Sequence, residues 1–457
     1  MEFVIDFSGV PTNDPIAFGW WFFQTIGWIY PVFLFAYGLL IVWQNYIRNQ
    51  YRKTRKYILL AIDIPKDNEQ SPRAVENIFA HLAGAHQPLK FYQNWWDGEI
   101  PDSFSFEIIS IGGYIQFIIH MVEKYRDLVE AIIYAQYPNA EITEIENYTQ
   151  KWNLKFPNDK YDLWGAELKL KKNYVYPIIT YKEFEDSLSQ ELKDPMASLL
   201  EALTRIGPGE EIWVQFVITP ADNDWGDRAR SIINKIIGAK DSGKKTIMDR
   251  IFEFPFAALD AIISTPGEET AKRGDDAPNK ILYLTAGQKD EVAAIEHKIS
   301  RLGFHTRVRW LYLGDKTVFK KIKGNQGVYG SFKQFNDLGL NSFKPDTRYV
   351  TGGIVFFKKL RLKWRKNRIL LRYKDRGHSL SPGEYGFILN TEELASLWHF
   401  PMMTVKAPLV KKTESKKAEP PMSLPITKIP LTPVVRQPSE AIKASPPANL
   451  PIEEEIK

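Results

Sequence analysis

Two stretches of this sequence come close to known chemical sites, and in each case particular residues spoil the match. Gly238-Ala-Lys-Asp-Ser-Gly243-Lys244-Lys245-Thr246 nearly spells a phosphate-binding loop. The position after Gly-Lys has to supply a hydroxyl to magnesium, and it holds Lys245, with Thr246 one place too late. Such a loop also follows a buried strand, whereas the preceding SIINKIIGAK reads as a helix, so a connection between two helices is expected here. Asp222-Asn223-Asp224-Trp225-Gly226-Asp227 imitates the start of a calcium loop, but its Gly comes one place early. Ile233 then occupies the position that needs a bidentate Glu, so an acidic turn leading into a helix is the expectation. His81 and His86 are five apart and cannot share a helix face as zinc ligands, and no GxSxG elbow occurs. His120 and His399 read as ordinary packing or surface residues. The absence of cysteine excludes disulfides, thiolate zinc sites, iron–sulfur clusters and thiol nucleophiles. The expectation is a non-enzymatic chain with no cofactor and no metal.

The chemistry that remains is electrostatic. Segment 358–376, KKLRLKWRKNRILLRYKDR, holds ten basic residues and one acidic one, although the whole chain carries only +5. Lys358, Lys359, Arg361, Lys363, Arg365, Lys366, Arg368 and Arg372, interleaved with Trp364 and Tyr373, make a candidate polyanion-binding arm. A solvated or membrane-facing amphipathic element, helix or hairpin, is the first expectation for it. Contact with nucleic acid and docking of an acidic protein are the alternatives.

The elements that must position this arm follow from periodicity. Tyr57 to Asp63 reads as a strand, Pro72 to Leu82 as a helix, Ser103 to Ile109 and Tyr114 to Ile119 as a hairpin around Gly112-Gly113, Lys124 to Tyr137 as a helix and Glu141 to Ile145 as a strand. That order, β-α-β-β-α-β, predicts a ferredoxin-like α+β domain over 57–150. A second α+β domain at 160–350 has strands near 163–170, 211–219 and 305–313 and helices near 196–205 and 288–302. It reads as a second ferredoxin-like unit with a helical insertion at 225–264. Packing on its own sheet is expected for that insertion, and lying on a membrane surface is the alternative. Residues 354–400 comprise the basic arm and a short helix that starts at a capping box, Asn390 with Glu393, and stops at Pro401.

Residues 15–47 contain no charge, and the stretch 16–47 is expected to be a transmembrane helix after a short extracytoplasmic N-terminus at 1–15. The N-terminus lacks the basic region of a cleaved signal peptide, so a retained anchor is expected. Trp20 and Trp21 at one end and Trp43 and Tyr46 at the other suit interfacial belts, and Arg48, Arg52 and Lys53 follow directly. The positive-inside rule then places the bulk of the chain in the cytoplasm of a single-pass plasma-membrane protein. Residues 401–457 hold 11 of the 29 prolines and are expected to be a disordered tail.

The run FSFEIISIGGYIQFIIHMVEKYRDLVEAIIYAQYPNAEITEIENY at 104–148, NTEELASLWHFP at 390–401 and the KAPLV that follows resemble a known arrangement. They are similar to the membrane-anchored front region, itself a domain of unknown function, of HerA/FtsK-like conjugation ATPases related to type IV secretion coupling proteins. In that family a P-loop motor follows. Here the corresponding place is taken by the proline-rich tail, so the resemblance implies an accessory to a separately encoded secretion ATPase and carries no ATPase activity. DNA and a second copy of the chain are further candidate partners, and a membrane-tethered nucleic-acid-binding protein is the alternative function.

Overall fold

The computed structural model describes residues 29–402 except 66–67, 86–87, 185–192, 223, 238–283, 354–355 and 378–385, together with positions 17, 20 and 24. Residues 1–15, Trp21, the near-phosphate loop at 238–246, the insertion beyond Ile237 and the tail beyond Met402 lie outside the described residues. One compact unit runs from Met1 to Glu414, and the other, Ser415–Lys457, is wholly outside them.

Helix α1 spans Ile29–Lys53, with Pro31 in its first turn, where a missing N–H leaves no bond unmade. It continues past the expected end at 47 and carries Arg48, Arg52 and Lys53 in its last turns, and residues 25–28 just before it lie outside the described residues. Among the described residues no helix is long and apolar enough to cross a membrane. Gln44, Ile47 and Arg48 are buried, whereas Val32, Phe33, Leu34, Phe35, Tyr37, Leu39, Leu40, Val42, Trp43 and Tyr46 are all exposed.

After α1 come β1 (Tyr57–Asp63), α2 (Pro72–Ala83), β2 (Phe104–Ile111), β3 (Tyr114–Val122), α3 (Arg126–Gln136) and β4 (Glu141–Glu144). Their sheet order is β4-β1-β3-β2, all pairs antiparallel. Gly112 and Gly113 both have positive φ, 59° and 95°, which a two-residue hairpin turn of this hand requires. The second half runs β5 (Tyr161–Leu170), α4 (Ala197–Thr204), β6 (Glu210–Pro220), α5 (Trp225–Ile237), α6 (Ala286–Ile299), β7 (Gly303–Asp315), α7 (Val328–Lys333) and β8 (Phe343–Pro345). From its outer edge inward it reads β8-β5-β7-β6. Numbered within each half, the strands therefore follow the same order, fourth, first, third, second. Residues 57–150 and 160–350 are nonetheless not separate sheets. β2 pairs antiparallel with β6 from Phe104↔Ile218 to Ile111↔Glu211, and the α+β architecture is built on one nine-stranded antiparallel sheet. Each of these strands would otherwise be an edge with unpaired backbone groups, and joining them removes both edges.

Helix α8 (Lys358–Asp375), β9 (Phe387–Asn390) and α9 (Thr391–Leu397) complete the unit, with β9 pairing to the start of β7. Period-2 alternation sorts the strands into two faces. One face, with Leu60, Phe106, Phe117, Phe216 and Trp310, packs under α2, α3, α4, α7 and α9. The expected capping box starts α9: Asn390 Oδ1 accepts from the Glu393 N–H at 2.8 Å, and Glu393 accepts from the Asn390 N–H at 2.9 Å. Beyond it Trp398 sits edge-on to Phe106 and Phe117, with ring centroids 4.8 and 5.7 Å away, so residues 390–401 are part of the core made by 104–122. The other face, with Leu59, Ile118, Leu163, Trp213 and Leu311, is covered by Trp152, Phe156 and the Ile369, Leu370 and Tyr373 side of α8. Within the insertion, Ala229 and Ile233 of α5 pack on Ile295 of α6 and on Val175. Residues 225–237 thus pack on α6 and Val175, and the remainder of the insertion, 238–264, lies outside the described residues.

Candidate functional site: the basic helix and the polar layer beneath it

Ile369, Leu370 and Tyr373 decide which way α8 faces, because they are the buried apolar stripe of an otherwise basic helix. Beneath its C-terminal half the sheet face turns polar. Glu107 on β2, Gln215 on β6, Arg309 on β7 and Glu167 on β5 are successive register partners and form one row across four strands. Glu107 is the hub. It accepts from Ser105 Oγ at 2.7 Å, Gln215 Nε2 at 2.8 Å, Arg376 Nε at 2.8 Å and Tyr148 OH at 2.8 Å. The Tyr148 and Tyr373 hydroxyls are 2.8 Å apart. Glu167 accepts from Arg372 Nε at 3.3 Å and pairs with Arg307, and Arg309 donates to the carbonyl oxygens of Arg372 and, at 3.3 Å, Gly377. From α1, Arg52 pairs with Asp375 at 2.8 Å. The layer thus ties α1, the sheet and the end of α8 together.

Burial by itself would raise the Glu107 carboxyl, but the Arg376 guanidinium beside it holds it below the usual range. Glu167 is likewise lowered, burial being outweighed by Arg309, Arg307 and Arg372. Burial pulls Arg309 down to about 10 despite Glu167, which leaves it charged at neutral pH. His120, stacked on Tyr57 at 5.1 Å, is depressed to about 3 by burial and then by the charge of Arg376.

The His120 shift has a definite sign. An unfolded histidine titrates near 6.5, so between pH 6.5 and 3 the unfolded chain binds a proton that the native chain refuses. Stability is therefore full above pH 6.5 and falls as the pH drops through this window. Unfolding free energies from denaturant titrations between pH 7.5 and 5 should decline by up to about 2 kcal/mol, and His120→Gln should remove most of that slope. An unchanged slope in the variant would contradict the assignment.

The candidate polyanion residues separate into two groups. Lys358, Lys359, Arg361, Lys363 and Trp364 are exposed on the first half of α8, beside exposed Phe356, Phe357 and Leu360. Arg368 lies 4.5 Å over the Trp364 ring and 5.0 Å over that of Tyr349. Arg365 is buried and donates to the carbonyls of Val350 at 2.9 Å and Gly352 at 3.2 Å, Lys366 pairs with Asp162, Arg372 is held by Glu167, and Tyr373 is fully buried. These four serve the packing of α8, so the available basic surface is shorter than the sequence suggested. Among the membrane-interface residues, Trp20, Trp43, Tyr46 and Lys53 are exposed, Arg48 is buried and donates to Asn94 Oδ1 at 2.8 Å, and Trp21 lies outside the described residues.

Placement along α8 matters as much as exposure. Arg372 sits at Glu167 and Lys366 at Asp162, so the helix runs from the Asp375 end, where α1 is attached, past the Tyr161 end of β5. Its 18 residues put Lys358 about 27 Å from the α1 attachment along the axis. Sequence reasoning passed over a second exposed group, Phe91, Tyr92 and Trp96, beside the last turns of α1. Its only signal was the adjacent Trp95-Trp96 pair in a polar stretch.

Two of the cavities among the described residues are lined by charged groups that bear on the site. The first, about 40 Å³, is bounded by Arg48, Arg52, Arg55, Asp102, Thr219, Asp375 and Arg376. Its cations are already matched, Arg52 with Asp375, Arg55 with Asp102 at 2.6 Å and Arg376 with Glu107, and the remaining space has room for about three waters. The second, about 480 Å³, is lined by Thr180, Lys182, His297, Lys298, Glu392 and Glu393. There the buried Lys298 meets Glu393 at 2.9 Å, while Glu392 takes Lys182 at 2.7 Å and Arg301 at 3.0 Å, so the carboxylates lock α9 in place. Among the described residues no three His, Asp or Glu side chains converge as a metal site.

A family model for a domain of unknown function, DUF8128, matches residues 64–413. The chain belongs to this family. The DUF8128 match takes in the polar layer, α8 and the capping box, and begins just after β1. It carries no stated activity and no link to HerA/FtsK or secretion ATPases. No curated protein matches the chain.

Proposed function

We propose that this DUF8128 protein is a non-enzymatic, single-pass membrane scaffold, with its N-terminus outside and its α+β body on the cytoplasmic side of the plasma membrane. The observation that carries this is the surface of α1. Its exposed apolar residues from Val32 to Tyr46 lie all round the helix rather than on one stripe, which suits a helix surrounded by lipid. The uncharged part of α1, Ile29 to Ile47, is about 28 Å long, and the charge-free run continues N-terminally to Pro15. Gln44 and Asn45 lower its mean hydropathy near the domain, where Gln44 docks. The two halves are read as ferredoxin-like split βαβ units joined edge to edge, on the support of their shared strand order. After an alkaline carbonate wash the full chain should remain in the membrane pellet; recovery in the supernatant would refute the anchor.

In this reading the exposed end of α8, about 27 Å along the helix from the anchor attachment, is the docking surface. The sequence resemblance suggests a P-loop secretion ATPase as its occupant. The second reading is nucleic-acid binding, favoured by the Lys358, Lys359, Arg361, Lys363 and Trp364 cluster. A variant with those four cations changed to Gln separates the two. Contact with about four phosphates of single-stranded DNA would give a log K against log salt slope near −3, flattened in the variant. The scaffold reading expects neither protein to bind DNA in a salt-dependent way.

A further inference from the structure

Residues 91–98 form a short turn pressed against α1 at the level where its uncharged run ends. A π-helical turn at Gln93–Asp97 is closed by Gln93, whose side chain accepts from the Lys90 N–H at 2.8 Å and donates to Glu99 at 3.1 Å, while its carbonyl accepts from the Glu99 N–H at 2.9 Å. Arg48 of α1 donates to Asn94 Oδ1 at 2.8 Å. Gly98, at φ 68°, lies so close to α1 that a Cβ there would sit 2.6 Å from the Ile47 carbonyl carbon and 2.9 Å from the Arg48 nitrogen. The turn is therefore registered to one turn of α1, the step from Ile47 to Arg48.

The side chains that this registration presents are unusual for a water-facing turn. Trp96 is 80% exposed, Phe91 77% and Tyr92 56%, and Phe91 stacks loosely on Trp95 at 5.9 Å. Exposed Trp43 and Tyr46 of α1 lie one turn nearer the uncharged end, and exposed Lys90 adjoins Phe91. Aromatic rings with polar tips, flanked by a cation, are the composition of a membrane–water interface.

We propose that the Phe91–Trp96 turn is a second, monotopic membrane contact that inserts its aromatic side chains at the headgroup level beside α1 and so fixes the tilt of the body against the bilayer. This rests on the anchor reading of α1. The occupant is the lipid surface itself, because the turn is held at the height where the uncharged helix gives way to arginine.

The cysteine-free chain makes the test direct. Trp43→Cys, Trp96→Cys and Leu360→Cys are each labelled with bimane in the full chain, which is reconstituted in phosphatidylcholine/phosphatidylglycerol vesicles with and without lipid spin-labelled near the headgroup. The expected result is a loss of emission at Trp43 and a comparable loss at Trp96, with little at Leu360 on the remote end of α8. Gly98→Ala should reduce the loss at Trp96 and leave that at Trp43 unchanged. Quenching at Trp96 no greater than at Leu360, with Trp43 still quenched, would overturn this contact alone. Absence of quenching at Trp43 and Trp96 together would overturn the contact and the anchor with it.

Discussion

Arg376→Met should destabilise the protein by about 3–5 kcal/mol, the cost expected when one partner of a buried ion pair is removed and the other stays behind. Glu107 is fully buried in the sheet and Arg376 almost so, with the two 2.8 Å apart. The variant would leave a carboxylate with Ser105, Gln215 and Tyr148 as donors but no charge opposite it. A second term allows a finer test. Arg376 has φ 47°, a left-handed conformation that costs a side chain about 1 kcal/mol and glycine almost nothing. Arg376→Gly should accordingly be milder than Arg376→Met by about that amount, though still destabilising. Glu107→Gln combined with Arg376→Met should recover part of the loss, since the buried charge is gone. The sign with pH follows from the lowered Glu107 carboxyl. Its stabilisation is complete above the unfolded carboxylate pKa near 4.3 and disappears as the pH falls through the lower folded value, so the Arg376 variants should unfold at higher pH than the parent. Equal stability of Arg376→Met and parent in urea would show that the layer is solvated and the pair irrelevant.

Local pattern anticipated much of the molecule. The hairpin at Gly112-Gly113, the strands at 57–63 and 104–122 and the capping box at Asn390 and Glu393 depend on neighbours in sequence, and turn chemistry and alternation expose them. The pairing of β2 with β6 joins residues about a hundred positions apart, and two apolar strands with no partner named can pair in many ways. For the same reason α8 was read as one basic arm. Composition shows ten cations, but only the tertiary partners Asp162, Glu167 and the Val350 carbonyl reveal which ones are committed. Glu107 did leave a trace, the one charged side chain in the strand FSFEIISI, and such a residue must find a partner if it is buried. Which partner it finds depended on the end of a helix far along the chain, beyond the reach of periodicity. The Trp95-Trp96 turn was missed because an irregular segment has no period to read.

The proposed anchor carries the second large expected effect, an all-or-none difference in accessibility across a membrane. The basic residues Arg48, Arg52, Lys53, Arg55 and Lys56 follow the uncharged run on one side, and Glu2, Asp6 and Asp14 precede it on the other. Lys and Arg near a span set its orientation, so the first residues should lie outside and the sheet inside. Because the chain contains no cysteine, single substitutions report cleanly. Val10 precedes the run, and Leu338 is 90% exposed on the folded body, so cysteine at either place should be reachable by reagent in its own compartment. In intact cells an impermeant maleimide should label Val10→Cys and leave Leu338→Cys untouched until the membrane is permeabilised. Labelling of Leu338→Cys in intact cells, or equal protection of both positions, would contradict a single-pass anchor with a cytoplasmic body.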